Sequence, residues 1–107
     1  MQALLAYLIY MKVLELIEND VHQGYMITSP ATGMNVMFDK RWSFNGDFDK
    51  PTFRPSMLMQ YPAENPETGH VREHFFVTDG RIQYLADCHH DMAGKTVDMI
   101  DCTWGDL

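Results

Sequence analysis

Glu73, His74, Cys88, His89 and His90 are the residues of this 107-residue chain whose types and spacing could do chemistry. Zinc takes thiolate, imidazole and carboxylate ligands, usually four in a tetrahedron, and Cys88-x-His90 sets two such donors on one tight segment. The expected metal ligands are His74, Cys88 and His90, with Glu73 either a fourth ligand or a general base beside a metal-bound water. His89 and His70 stand in reserve. Neighbours on a strand point to opposite faces, so Glu73 and His74 can share a metal only at a bulge or a strand end. The pattern also lacks the double Cys-x-x-Cys that makes a zinc signature strong. Cys88 beside two histidines could instead be activated as a thiolate nucleophile, but no helix start or oxyanion loop accompanies it. The plainer alternative is a chance cluster: five histidines are spread over this chain, and cysteine often serves as a small buried apolar residue.

A hairpin must bring these residues together. Asp79-Gly80 favours a type I′ turn, whose two central residues both need positive φ, and it separates His74–Thr78 from Arg81–Leu85. The register follows: Thr78 faces Arg81, Val77 faces Ile82, Phe76 faces Gln83, Phe75 faces Tyr84 and His74 faces Leu85. Alternation puts Phe75, Val77, Ile82 and Tyr84 on the core side and delivers His74 to the open end, where the second strand runs into Cys88.

The rest of the chain is also mostly β in pattern. Leu5, Leu8, Ile9, Val13, Leu16 and Ile17 share one helical face, yet Tyr10–Ile17 would serve equally as a strand. The element, whichever it is, ends at Asn19-Asp20. Short apolar runs at Gly24–Thr28 and Met34–Phe38 flank Ser29-Pro30 and Gly33 and predict a second hairpin. Trp42-Ser43-Phe44 runs into the turn pair Asn45-Gly46. An irregular surface stretch is expected from Asp47 to Pro55, a strand at Met57–Tyr61, a polar loop from Pro62 to Gly69 and a short closing strand within Lys95–Ile100. The fold class is mainly β, with a small α+β variant open: a compact antiparallel sheet or sandwich of short hairpins, with an N-terminal helix or strand. Residues 1–10 read as an appendage and residues 11–107 as a single domain.

Composition narrows the function classes. With 46% hydrophobic residues the chain can build one core without staples. Eight Lys plus Arg against fifteen Asp plus Glu give a formal charge of −7, a field that disfavours nucleic acid and anionic membranes. Two cysteines, Cys88 and Cys102, make no disulfide framework. The apolar opening lacks a basic flank and a cleavage site, and falls short of the roughly 20 residues of a spanning helix. A cytoplasmic protein with reduced thiols is expected.

Trp42-Ser43-Phe44-Asn45-Gly46-Asp47, then Pro51-Thr52-Phe53 and Pro55-Ser56, resemble a family of small phage and prophage proteins of unknown function, often labelled "ammonia monooxygenase". The resemblance continues through His74, Phe76-Val77, Asp79-Gly80, Asp87-Cys88-x-His90 and Ala93-Gly94-Lys95-Thr96-Val97, and spans about Met11 to Ile100. It implies a metal-binding domain with His74, Cys88 and His90 as ligands, acting in the host cytoplasm if phage-encoded. This chain departs from the pattern twice. Many members have Cys where it has Glu73, and many carry a Cys-Pro-x-Cys knuckle where it has Ser29-Pro30-Ala31-Thr32. The enzyme label has no physical support in a domain of this size.

The leading expectation is therefore a phage-type accessory protein that binds a host or phage protein and carries a structural zinc, with no catalytic role. The alternative is a metal-dependent hydrolase with Glu73 as base. A homodimer through the apolar N-terminal segment is a third expectation.

Overall fold

The computed structural model describes residues 11–62 and 69–102. Eight antiparallel strands follow in order: β1 (Leu14–Glu18), β2 (Val21–Thr28), β3 (Asn35–Phe38), β4 (Ser43–Phe44), β5 (Phe53–Pro62), β6 (His70–Thr78), β7 (Arg81–Tyr84) and β8 (Thr96–Asp98). They form a three-stranded sheet, β1-β2-β3, and a five-stranded sheet, β4-β5-β6-β7-β8. The mainly β expectation holds. Among the described residues no helix is long and apolar enough to cross a membrane. From Leu14 onward the ambiguous opening is strand; the appendage and the dimer contact expected of residues 1–10 lie outside the described residues.

Local backbone chemistry sets the turns. Asp79 and Gly80 have φ of 50° and 77°, as a type I′ hairpin requires, and Thr78↔Arg81 through Phe75↔Tyr84 pair in the expected register. Asn19 and Asp20 also have positive φ, 53° and 62°. They are thus the turn of a further hairpin, with Glu18 paired to Val21, rather than merely the end of an element. Asn and Asp tolerate this region better than other side-chain-bearing residues.

One core draws on both sheets: Ile27, Val36 and Phe38 from the first, Phe53, Met57, Phe75, Val77, Ile82 and Tyr84 from the second. Phe53 stacks on Phe38 at 4.1 Å and on Phe44 at 4.7 Å. Burial alternates along β6, and its inner positions are Glu73, Phe75 and Val77. A carboxylate therefore occupies a core-facing position, while His74 and Phe76 face outward.

The β5–β6 pairing is interrupted. Phe53 pairs with Val77 and Met57 with Phe75, so four steps along β5 oppose two along β6. The extra residues belong to the Arg54–Ser56 segment, which contains the cis Arg54-Pro55 bond. Such a bulge re-aims the side chains within it. β5 begins at Phe53, inside the stretch expected to be irregular.

Candidate active site

Ser56 leaves the bulge on the outer face of the five-stranded sheet, beside β6. Its Oγ lies 3.4 Å from His74 Nε2. On the far side of the ring, both carboxylate oxygens of Asp87 lie 3.1 Å from His74 Nδ1. Since a carboxylate only accepts, Nδ1–H donates to Asp87, and the neutral ring then turns its Nε2 lone pair to the Ser56 hydroxyl. The result is a Ser–His–Asp relay running across β5, β6 and the loop after β7.

The loop holding Asp87 is tied to β6 through main-chain bonds. Leu85 N–H donates to His74 O at 2.8 Å, and His89 N–H to Arg72 O at 2.9 Å. Cys88 bridges the same place: its Sγ accepts the His74 N–H at 3.3 Å and donates to His74 O at 3.2 Å. The hydrogen bond from His74 holds the Asp87 carboxyl below the usual carboxylate range, with the nearby Arg72 charge acting the same way. Arg72 Nη1 is 3.8 Å from Asp87 Oδ2. Both favour the carboxylate form of Asp87.

The chain has three serines, and their surroundings separate them. Ser43 Oγ meets only the Arg54 carbonyl, at 3.4 Å. Ser29 is fully buried and donates to the Glu73 carboxylate. Ser56 alone of the three has an imidazole on its hydroxyl, and it is half-buried.

Across the strand from His74 lies a second polar cluster, centred on Glu73, which is completely buried. Ser29 Oγ donates to Glu73 Oε1; Thr32 Oγ1 and Tyr61 OH donate to Oε2 at 3.0 and 3.2 Å. Because Ser29 spends its proton on Glu73, the 2.7 Å contact with Tyr84 runs from the phenol to Ser29, and Tyr84 OH accepts Ala31 N–H at 3.2 Å. His90 Nδ1 accepts Met92 N–H at 3.2 Å, so the neutral ring carries its proton on Nε2, which is 3.8 Å from Glu73 Oε1. Burial raises the Tyr84 and Tyr61 hydroxyls above their ordinary range.

The four residues expected to hold zinc are thus divided. His74 spends both ring nitrogens on Ser56 and Asp87. Cys88 contacts the main chain of His74, and burial pushes its thiol up, with the Asp87 and Glu73 charges acting the same way. Glu73 and His90 belong to the buried cluster. Of the reserves, His89 Nδ1 donates to the His70 carbonyl at 2.8 Å. Each of the four thus has other partners in this arrangement, and among the described residues no three His, Cys, Asp or Glu side chains are grouped to hold an ion. Ser29, Thr32 and Glu73 are brought into contact with one another.

The sequence singles out His74, there as an expected metal ligand, and neither Ser56 nor Asp87 beside it. Both were visible as types, Ser56 after Pro55 and Asp87 before Cys88; what was missing was their distance from His74.

No curated protein and no solved structure matches this chain. A family model does match, over residues 28–85, described as bacterial ubiquitination-like system serine protease (BubE). The matched segment includes all three serines and His74, and stops two residues short of Asp87. It covers more than half of the 107 residues, and the chain belongs to the family of bacterial ubiquitination-like system serine proteases.

Proposed function

We propose that this chain is an active serine protease of such a system, with Ser56 as nucleophile, His74 as general base and acid, and Asp87 as the group that orients His74. One observation carries the reading: the continuous Ser56–His74–Asp87 relay at 3.4 and 3.1 Å. Ser56 Oγ attacks the carbonyl carbon of the scissile amide while its proton passes to His74 Nε2. The tetrahedral adduct collapses, the C–N bond breaks, and the leaving amine takes the proton from His74. Water then attacks the Ser56 ester, giving one proton to His74, which returns it to Ser56 as the acid product leaves. Asp87 remains a carboxylate throughout and stabilises the imidazolium. The 3.4 Å Ser56–His74 separation is loose for a hydrogen bond, and such contacts tighten when substrate is bound. In a ubiquitination-like system, the bond cut would be an amide made or carried by the modifier.

A fluorophosphonate probe tests this directly. The expected result is one adduct, mapped to Ser56 by mass spectrometry, absent in Ser56→Ala and strongly slowed in His74→Ala. An unlabelled Ser56, or labelling that is indifferent to His74, overturns the reading.

A further inference from the structure

β5 is longer than the neighbour on its outer side. β4 pairs only with Phe53 and Arg54, so the edge beyond Ser56 carries no strand among the described residues. His74 turns its N–H to Cys88 Sγ and its C=O to Leu85 N–H, and the Arg72 C=O accepts from His89. The main-chain groups of both β6 residues therefore face β7 and the loop beyond it. Their partners on β5, Leu58 and Gln60, then sit in non-hydrogen-bonded pairs and aim their own N–H and C=O outward. Ser56, two residues before Leu58, has the same phase: its C=O accepts the Trp42 indole N–H at 3.3 Å.

Two residues whose outward main chain has no partner among the described residues thus follow the nucleophile along one edge. Folded proteins normally cover or blunt such edges, because they template the pairing of another extended chain. A protease must hold its substrate extended across the nucleophile, and strand addition does so without demanding a particular sequence. Leu58 adds an apolar contact: it lies directly across from His74, and the residue is 53% exposed.

We propose that the protein substrate binds as an added strand on the β5 edge, main-chain bonded to Leu58 and Gln60, with an apolar substrate residue against the Leu58 side chain near the scissile bond. The proposal rests on Ser56 being the nucleophile.

The test compares two probes on the full chain. One is a fluorophosphonate, which needs only the relay; the other is a mixed-sequence tetrapeptide diphenyl phosphonate, made with and without N-methylated amides. Wild type should react with the unmethylated peptide probe about tenfold faster than with the methylated one, as expected for the loss of one or two main-chain hydrogen bonds. Gln60→Pro removes one outward N–H, a change that edge strands tolerate. It should abolish that preference and leave fluorophosphonate labelling unchanged, while Gln60→Ala keeps both. Equal labelling by the two peptide probes, no reaction with either, or a preference that survives Gln60→Pro overturns the strand-addition proposal while the protease reading stands. A dimer that dissociates in Gln60→Pro would make the edge a self-association surface and overturn it too. If the fluorophosphonate itself fails to label Ser56, the protease reading fails, and this proposal with it.

Discussion

Glu73 and His74 are adjacent in β6, yet their side chains serve opposite faces of the sheet: Glu73 accepts three hydroxyl hydrogen bonds in the core, and His74 joins Ser56 to Asp87 on the outside. The two-residue period of a strand allows nothing else where the pairing is regular, and Met59↔Glu73 and Leu58↔His74 are regular pairs. One strand thus supplies the imidazole of the relay and anchors the scaffold behind it.

Asp87→Asn should keep the fold and lower kcat by about 10³- to 10⁴-fold, the scale seen when the orienting carboxylate of such a relay is neutralised. An amide at this position can donate to Nδ1 and so favour the tautomer with its proton on Nε2, facing Ser56. Adding Asp87→Asn to Ser56→Ala should cost no further activity, since relay members act as a unit. Fluorophosphonate labelling rates and steady-state kinetics check both statements; a loss of under tenfold would remove Asp87 from the relay.

Glu73→Ala should destabilise the protein by about 3–5 kcal/mol, because the fully buried Ser29 hydroxyl and the part-buried Thr32 and Tyr61 hydroxyls would have no carboxylate to receive them. Glu73→Gln should cost less, about 1–3 kcal/mol, since one oxygen still accepts while the amide NH₂ opposes a donor. Urea denaturation measures both. Equal stability of Glu73→Ala and wild type would show that the cluster contributes nothing.

Cys88 should behave as a buried thiol. Burial raises it, so iodoacetamide at pH 8 should alkylate it at least about tenfold more slowly in the native protein than in urea. Cys88→Ala removes the Sγ contacts to His74 and should cost about 1 kcal/mol of stability, with fluorophosphonate labelling slowed as the His74 backbone loosens. Mass-mapped alkylation separates Cys88 from Cys102.

Alkaline pH should destabilise the fold. Tyr84, Tyr61 and Cys88 all have folded-state values raised by burial. Above the unfolded values, about 8.5 for Cys and 10 for Tyr, the unfolded chain has released protons that the folded chain still holds. Stability then falls with rising pH, first through the Cys range and then through the Tyr range. Melting curves from pH 7 to 10.5 should show this fall, and Tyr84→Phe should flatten its upper part. An unchanged slope would mean that Tyr84 titrates freely.

The sequence alone determined what is local. Asp79-Gly80 needs no distant partner to turn, because only residues that tolerate positive φ suit a type I′ loop, and once it turns, the alternation of Phe75, Val77, Ile82 and Tyr84 follows. The type and position of His74 were equally legible, and so was the rule that Glu73 must point away from it. Tertiary structure decided the rest. Ser56 meets His74 only because β5 pairs with β6 out of register through Arg54–Ser56, and a bulge that depends on packing leaves no periodic mark in the chain. Glu73 meets Ser29 across 44 residues of sequence, through two sheets closing on one core. Contacts of that range are set by which strands pair and in which register, a property of the whole fold rather than of any segment within it.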